Sequence, residues 1–392
     1  MSAAVELSAD SVETDILHDF AAVRDEWRAL NAVARAGCMF LSPDWLEPWW
    51  AQWGAGRELQ LVCVREGGRL IGFLPLFSEE VRVGGVPVTR LAFIGDGETG
   101  CDYLDVLAEP GREREVFERA LDAVRDLSWD VCDLDDLWRE SFTAVTLAQR
   151  FPNARTTEGI LRDGKLRYVC PHIPLHGTYD DYLKGLSRRE NLKRREKWMF
   201  KMPGTSIECA RTPEEAVKAT EHFLTLHKAR WAADGGSDGL CDEKHEAFHR
   251  EAIARLAKAG TLRLYTLFCA RRPVASVYGV VHNGKFNYYQ SGYDPEWGSK
   301  SVGLVLLART VSDAFAERLT EFDFLRGNEG YKGEWARGER WTIQLRLWRG
   351  GRGKAARAAL MAGSFARETV KAAMPLQAIE AVRKARRLVR RG

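Results

Sequence analysis

A chain of 392 residues, 45% apolar and 29% charged, is longer than one hydrophobic core usually serves and too apolar for a disordered or fibrous protein, so two folded lobes are expected. The formal charge of +3 hides a basic end: residues 349–392 hold twelve Lys or Arg against two Glu, which leaves about −7 on the rest. An acidic body and a tail without interleaved aromatics exclude a dedicated nucleic-acid reader.

No stretch approaches the roughly 20 apolar residues of a spanning helix. The first twenty residues lack the basic cluster and apolar run of an export signal. The eight cysteines are scattered singly, without a CxxC pair, which argues against a zinc module or a disulfide scaffold and for a reducing compartment. The expectation is a cytoplasmic protein.

In chain order, residues 12–20 alternate as a strand, and FAAVRDEWRAL places Phe20, Val23, Trp27 and Leu30 on one helical face. SPDWLEPWWAQWG reads as a helix with Ser42 as N-cap, Pro43 at its first position and Gly54 as terminator. LQLVCVREGGRLIGFLPLF is a hairpin turned at its glycines. The strand VTRLAFIG, the helix EREVFERALDAVRDL and the strand DVCDLDDLW follow.

The pattern then begins again. TSIECAR is a strand, PEEAVKATEHFLTLHKARWAA and EKHEAFHREAIARLAKAG are helices, and LRLYTLFCARRPVASVYGVV is a second hairpin. The strand KFNYYQSGYD, the helix VGLVLLARTVSDAFAERL and the strand EFDFL repeat the order of the first half, so the chain reads as internally duplicated. RWTIQLRLW is expected to close the second lobe, and an Ala/Arg-rich tail follows. The division is residues 1–160, 161–348 and 349–392.

The strongest chemical constellation is the strand, loop and helix at 285–318. A strand emptying into a helix start leaves first-turn N-H groups, at Ser301, Val302, Gly303 and Leu304, for an anion such as a pyrophosphate, and Lys300 stands beside the turn. The same residues suit a plain helix start with a solvated lysine. His227, Arg230 and Trp231 share a helix face, which fits either a polar or sugar-like acceptor or an amphipathic edge. Cys241, His245 and His249 stack at four-residue spacing, but no fourth ligand is near and no metal is expected. The Lys/Arg-dense run at 187–201, with Arg188 and Arg195, is either a solvated face or a clamp for a phosphate-bearing substrate.

SPDWLEPWW, LIGFLPLF, LSRRENLKRREKW, LHKARWAADGG, YYQSGYDPEWGSKSVG and FDFLRGNEGYKGEW, in this order over about residues 12–348, resemble the GNAT-superfamily branch of cellulose-biosynthesis-type acetyltransferases, similar in plan to FemAB-type transferases. The resemblance implies an α/β fold of tandem GNAT-like lobes, each a mixed, mostly antiparallel sheet flanked by helices, the first lobe degenerate. It implies acyl transfer, most simply acetyl, from acyl-CoA to an amine or hydroxyl of a cell-envelope polysaccharide precursor, with no metal.

The pyrophosphate would lie on Ser299, Lys300, Ser301, Val302, Gly303 and Leu304, and the carbonyl near Gln290, Ser291 and Tyr293. Asp323, Glu329, Tyr331 and Lys332 are then the catalytic candidates, each with an equally ordinary packing role, and His227 is a further candidate base. A FemAB-like aminoacyl-tRNA-dependent transferase and a non-catalytic scaffold subunit are the competing readings. The basic tail suits a peripheral contact with the inner membrane face.

Overall fold

The computed structural model describes residues 11–153, 155–234, 240 and 242–373. The chain divides into two compact units, one of Met1–Asp96, Cys101–Arg167 and Thr342–Leu360, the other of Gly97–Gly100, Tyr168–Trp341 and the chain end.

In chain order the elements are β1 (Val12–Leu17), α1 (Arg24–Val33), α2 (Pro43–Trp53), β2 (Glu58–Glu66), β3 (Arg69–Val83), β4 (Val86–Phe93), β5 (Leu107–Ala108), α3 (Glu113–Asp126), β6 (Val131–Trp138), α4 (Phe142–Arg150), β7 (Thr156–Thr157) and β8 (Ile160–Pro174). Then come α5 (Tyr179–Lys184), α6 (Arg189–Met199), β9 (Ser206–Ala210), α7 (Pro213–Asp234), α8 (Glu243–Lys258), β10 (Leu262–Cys269), β11 (Arg272–His282) and β12 (Lys285–Tyr293). The chain continues through α9 (Val302–Ala316), β13 (Glu321–Asp323), α10 (Gly330–Trp335), β14 (Gly338–Arg349) and α11 (Gly350–Ala373).

The first unit orders its strands β1-β2-β3-β4-β6-β14. All neighbours are antiparallel except β4 and β6, whose parallel pairing spans only Arg90–Ala92 against Val131–Asp133. The second unit repeats the plan as β9-β10-β11-β12-β13-β8, again antiparallel but for β12 and β13, which pair over Lys285–Asn287 and Glu321–Asp323. A helix makes each parallel crossover, α3 in the first and α9 in the second, as parallel strands require. The expected duplication is therefore present in topology, and each unit is a mixed, mostly antiparallel sheet with flanking helices.

The same device seats a helix or ring on each sheet. A Cβ on Gly72 of β3 would overlap Val116 of α3, and one on Gly279 of β11 would overlap the ring of Phe286. In the first core Trp27 is buried, stacks on Phe20 at 5.9 Å and donates its indole N-H to the Leu41 carbonyl at 2.8 Å. The second core centres on Phe286, Phe322 and Phe324, with Phe286 and Phe322 stacked at 4.7 Å.

Three expectations are corrected. RWTIQLRLW does not close the second lobe: Thr342–Trp348 pair with β6 of the first, where Arg346 binds Asp133, Gln344 binds Asp135 and Thr342 bonds Asp136 at 3.2 Å. The second lobe takes its sixth strand from β8, which precedes it and which its mixed charges conceal: Asp163 is paired with Arg357, and Arg167 with Asp135 and Asp136. The glycines after residue 349 do not start a tail. Gly353 packs on the Asp130 carbonyl and Ala356 joins an apolar cluster with Val88, Val131 and Trp348, so α11 begins as part of the first unit. A smaller difference concerns Ser42, which precedes α2 as expected but whose buried hydroxyl makes no capping bond. Residues 374–392, including Pro375, and Cys241 lie outside the described residues.

Candidate active site

The site is built where β12 and β13 part. After three paired residues β12 runs on to Tyr293, while the chain beyond Asp323 follows β8, the Phe324 and Gly327 N-H groups donating to the carbonyls of Pro171 and Val169 at 3.0 Å each. A wedge opens between Tyr288–Tyr293 and 324–327. Its floor is aromatic, with Tyr288 5.8 Å from Phe324 between ring centroids.

On one side of β12, α7 approaches unusually closely, because a Cβ at Gly292 would overlap the backbone nitrogen of His227. That approach brings His227, Arg230 and Trp231 onto the strand. Arg230 donates through Nη1 to the Ser291 hydroxyl at 2.7 Å and to its carbonyl at 3.2 Å, and its guanidinium lies over the rings of Trp231 and Tyr293 at 4.9 and 5.4 Å. Nε of Arg230 and Nε1 of Trp231 are buried without a partner among the described residues.

His227 is fully buried with Nε2 3.3 Å from the Gln290 side-chain oxygen. Burial pulls its pKa down to about 4, and Arg230 pulls in the same direction, so the ring is neutral at physiological pH. A neutral ring donates from Nε2 to Gln290 and keeps its lone pair on Nδ1, which has no partner among the described residues.

Across the wedge, the Tyr288 hydroxyl stands near Ser291 and near the Tyr331 hydroxyl. Burial raises the pKa of both tyrosines, and Glu329 raises Tyr331 further, so both stay protonated. Tyr288 was not singled out in the sequence. Its neighbour Tyr289 has the same side-chain chemistry but falls at the bulge where Tyr278 faces Gln290 and Gly279 faces Tyr288, and it donates to the Thr99 carbonyl at 2.7 Å.

Of the catalytic candidates, Glu329 and Tyr331 reach this cluster and two others are tied down. Both Asp323 oxygens are engaged, one by the Leu325 N-H at 2.7 Å and the other by Arg340 at 3.1 Å, and Arg340 also binds Glu321. Lys332 is buried under the Gly327 turn, donating to the Arg326 carbonyl at 2.7 Å and pairing with Glu329 at 3.0 Å. A Cβ at Gly327, whose φ is +128°, would overlap the Glu329 carboxylate.

At the other end of the wedge, Pro295–Lys300 form a 3₁₀ turn and Ser301 adopts φ +62° before α9 begins. The Ser301 N-H donates to the Gly298 carbonyl at 3.1 Å, so the expected set of four open donors shrinks to Val302, Gly303 and Leu304. Nothing stands within 4 Å of a Cβ built on Gly303, and the first turn of α9 carries no acid. Lys300 lies over the Trp198 ring at 5.4 Å, which brings basic α6 to the turn. On α6, Arg195 is half-buried, while Arg188 just before it pairs with Glu334 at 3.1 Å.

The matching place in the first unit is unlike this. Its crossover helix α3 starts with Glu113 and Glu115 in the first turn. At the end of β4 Arg90 is held by Asp133 at 2.8 Å, Glu79 at 2.9 Å and Asp96. Acids at that helix start repel an anionic ligand.

Residues 187–333 match the family model described as an acetyltransferase (GNAT) domain. No curated protein matches by sequence. Among solved structures, FemX is similar at 13% identity over 83% of this chain and 96% of its own, with a TM-score of 0.57. A conserved protein of unknown function from Bacteroides thetaiotaomicron VPI-5482 is similar at 11% identity over 86% and 100%, TM-score 0.54. The C-terminal domain of a putative lysylphosphatidylglycerol synthetase from Agrobacterium fabrum is similar at 8% identity over 88% and 96%, TM-score 0.52. At these identities the likeness to solved structures is one of fold.

Residues 187–333 thus match a GNAT acetyltransferase domain, and the fold of the chain is similar to that of FemX.

Proposed function

We propose that the second lobe moves an acyl group, most simply acetyl, from acyl-CoA to an amine or hydroxyl of a cell-envelope polysaccharide precursor. The observation that carries this is the contrast between the two crossover helices: α9 starts at the open wedge with free N-H groups, Lys300 beside it and no acid, whereas α3 starts with two glutamates. The donor's pyrophosphate would rest on residues 299–304 and its thioester carbonyl near Gln290, Ser291 and Tyr293.

In this reading the acceptor's lone pair attacks the carbonyl carbon, the new C–N or C–O bond forms, and the C–S bond breaks as the thiolate leaves. Glu329 takes the acceptor's proton, and the Tyr331 hydroxyl, kept protonated by burial, gives one to the sulfur. Arg230, anchored on Ser291, and Trp231 hold the acceptor beside His227. Asp323 and Lys332 shape the loop.

A second reading has a specific observation behind it. The exposed cations of α6, with Trp198 and Phe200 exposed at its end, suit a larger polyanion, as an aminoacyl-tRNA donor would be. Calorimetric titration with CoA, acetyl-CoA, a longer acyl-CoA and an aminoacyl-tRNA separates the two, and Gly303→Asp places a negative charge at the open helix start. Saturable acyl-CoA binding lost in the variant supports the first reading. Binding of the tRNA alone supports the second, and no response to either leaves a scaffold role.

The proposal includes a peripheral membrane contact through basic residues 350–392. It predicts that liposome binding falls when residues 374–392 are removed, which leaves the packed start of α11 in place.

A further inference from the structure

The first unit carries a feature that acyl transfer does not use. Between α4, the start of β8 and β14 lies a groove of about 530 Å³ whose floor includes Ala148, Ile343 and Leu345. Three cations line it, Arg139, Arg162 and Lys165, and no Asp or Glu does. Arg162 is anchored through Nε to the Phe151 carbonyl, Arg139 pairs at the surface with Glu140 at 3.1 Å, and Lys165 has no ion pair among the described residues.

The rim is apolar. Phe142, Val145 and Leu166 are 38%, 42% and 54% exposed, three of the eight large apolar side chains standing open to solvent among the described residues. On α4, Ala144 and Leu147 face the core while Phe142 and Val145, three apart, face out. Exposed apolar side chains beside a groove that three cations and no acid line match a surface whose partner is apolar inside and anionic outside.

We infer that this face docks on an anionic phospholipid bilayer, with Phe142, Val145 and Leu166 entering the interface and Arg139, Arg162 and Lys165 meeting lipid phosphates. The residues of this face belong to the first unit and are others than those of the basic tail and of the proposed acyl-transfer site.

The test is co-sedimentation of the full chain with phosphatidylglycerol vesicles and with phosphatidylcholine vesicles. It is repeated with Arg139→Glu/Lys165→Glu/Leu166→Asp and with Lys165→Glu alone, each in the full chain and in a chain lacking residues 374–392. Arg162 is left in place because it holds the Phe151 carbonyl. The expected result is binding at least tenfold stronger to the anionic vesicles, and a loss of roughly fivefold for each cation removed, in both chain lengths.

The single exposed variant keeps the test decisive if the triple variant unfolds. Equal binding to both vesicles, no binding to either, unchanged binding of the Lys165→Glu chain, or complete loss on tail removal would overturn the inference. So would displacement by soluble poly-glutamate as strong as that by the vesicles, which would indicate an acidic polypeptide partner instead.

Discussion

Gly292 touches the backbone of His227, so α7 lies on β12 at a separation that no side chain at position 292 permits. The overlapped atoms are main chain, and the helix itself must move to make room. Gly292→Ala is therefore expected to cost about 1–3 kcal/mol in a urea titration, and to pull Arg230 away from Ser291. An alanine variant as stable as the parent would mean that α7 shifts freely.

Asp323 and Glu329 should separate stability from chemistry. Asp323→Asn weakens a buried pair with Arg340, an effect on the order of 3 kcal/mol that appears in the unfolding midpoint while the folded fraction retains its turnover. Glu329→Gln should leave the midpoint within about 1 kcal/mol, since its carboxylate is half-exposed and buried Lys332 keeps the Arg326 carbonyl, and should lower kcat at least tenfold. Reversed outcomes would assign the base to Asp323.

Tyr331→Phe removes the proton proposed for the leaving thiolate and leaves the Tyr288 hydroxyl with Ser291. Turnover is expected to fall about a hundredfold with KM for the thioester little changed, measured by thiol release. A donor whose leaving group needs no proton should recover most of that loss.

Acid should act on the two lobes in opposite directions. His227 has a folded pKa of about 4, below its ordinary 6.5, so the unfolded chain binds the extra proton and stability is lost as pH falls from about 6.5 towards 4, by about 3 kcal/mol. Asp105 of the first unit accepts from the Val106 N-H at 2.7 Å and lies near Thr143 and Ser141, and burial pushes its pKa up to about 6. There the folded state holds the proton, and the stability this gives is lost as pH rises from about 4 through 6. Relative to the parent, His227→Gln should remove the first slope and Asp105→Asn the second, in urea midpoints taken between pH 4.5 and 7.5.

Much of the architecture was legible because its elements follow simple periods. The three- and four-residue spacing of Val23, Trp27 and Leu30 marks α1, and Gly67 and Gly68 mark the first hairpin, both at the positive φ that such a turn needs. β8 escaped because Asp163, Lys165 and Arg167 break the apolar alternation, and two of these charges are neutralised only by partners distant in sequence. β14 was given to the wrong lobe because sequence order suggests a neighbour, and only pairing with β6 decides otherwise.

The site was half legible. Helix spacing brings His227, Arg230 and Trp231 together, but a two-residue period cannot tell Tyr288 from Tyr289 when a bulge intervenes. Nor does sequence reveal that Lys332 and Asp323, chemically able, are already occupied by Arg326, Glu329 and Arg340.

The late arrival of β14 bears on how the protein is made. During synthesis β6 emerges with one edge lacking its partner until residues 342–349 follow, an interval of roughly two hundred residues, or about ten to forty seconds at ordinary elongation rates. Through that interval the exposed edge is open to wrong pairings, with only neighbouring segments and chaperones to shield it. The second lobe has its own sixth strand in hand before its other strands are made. A premature stop before residue 342 would thus cripple the N-terminal lobe although every residue up to Arg167 is present.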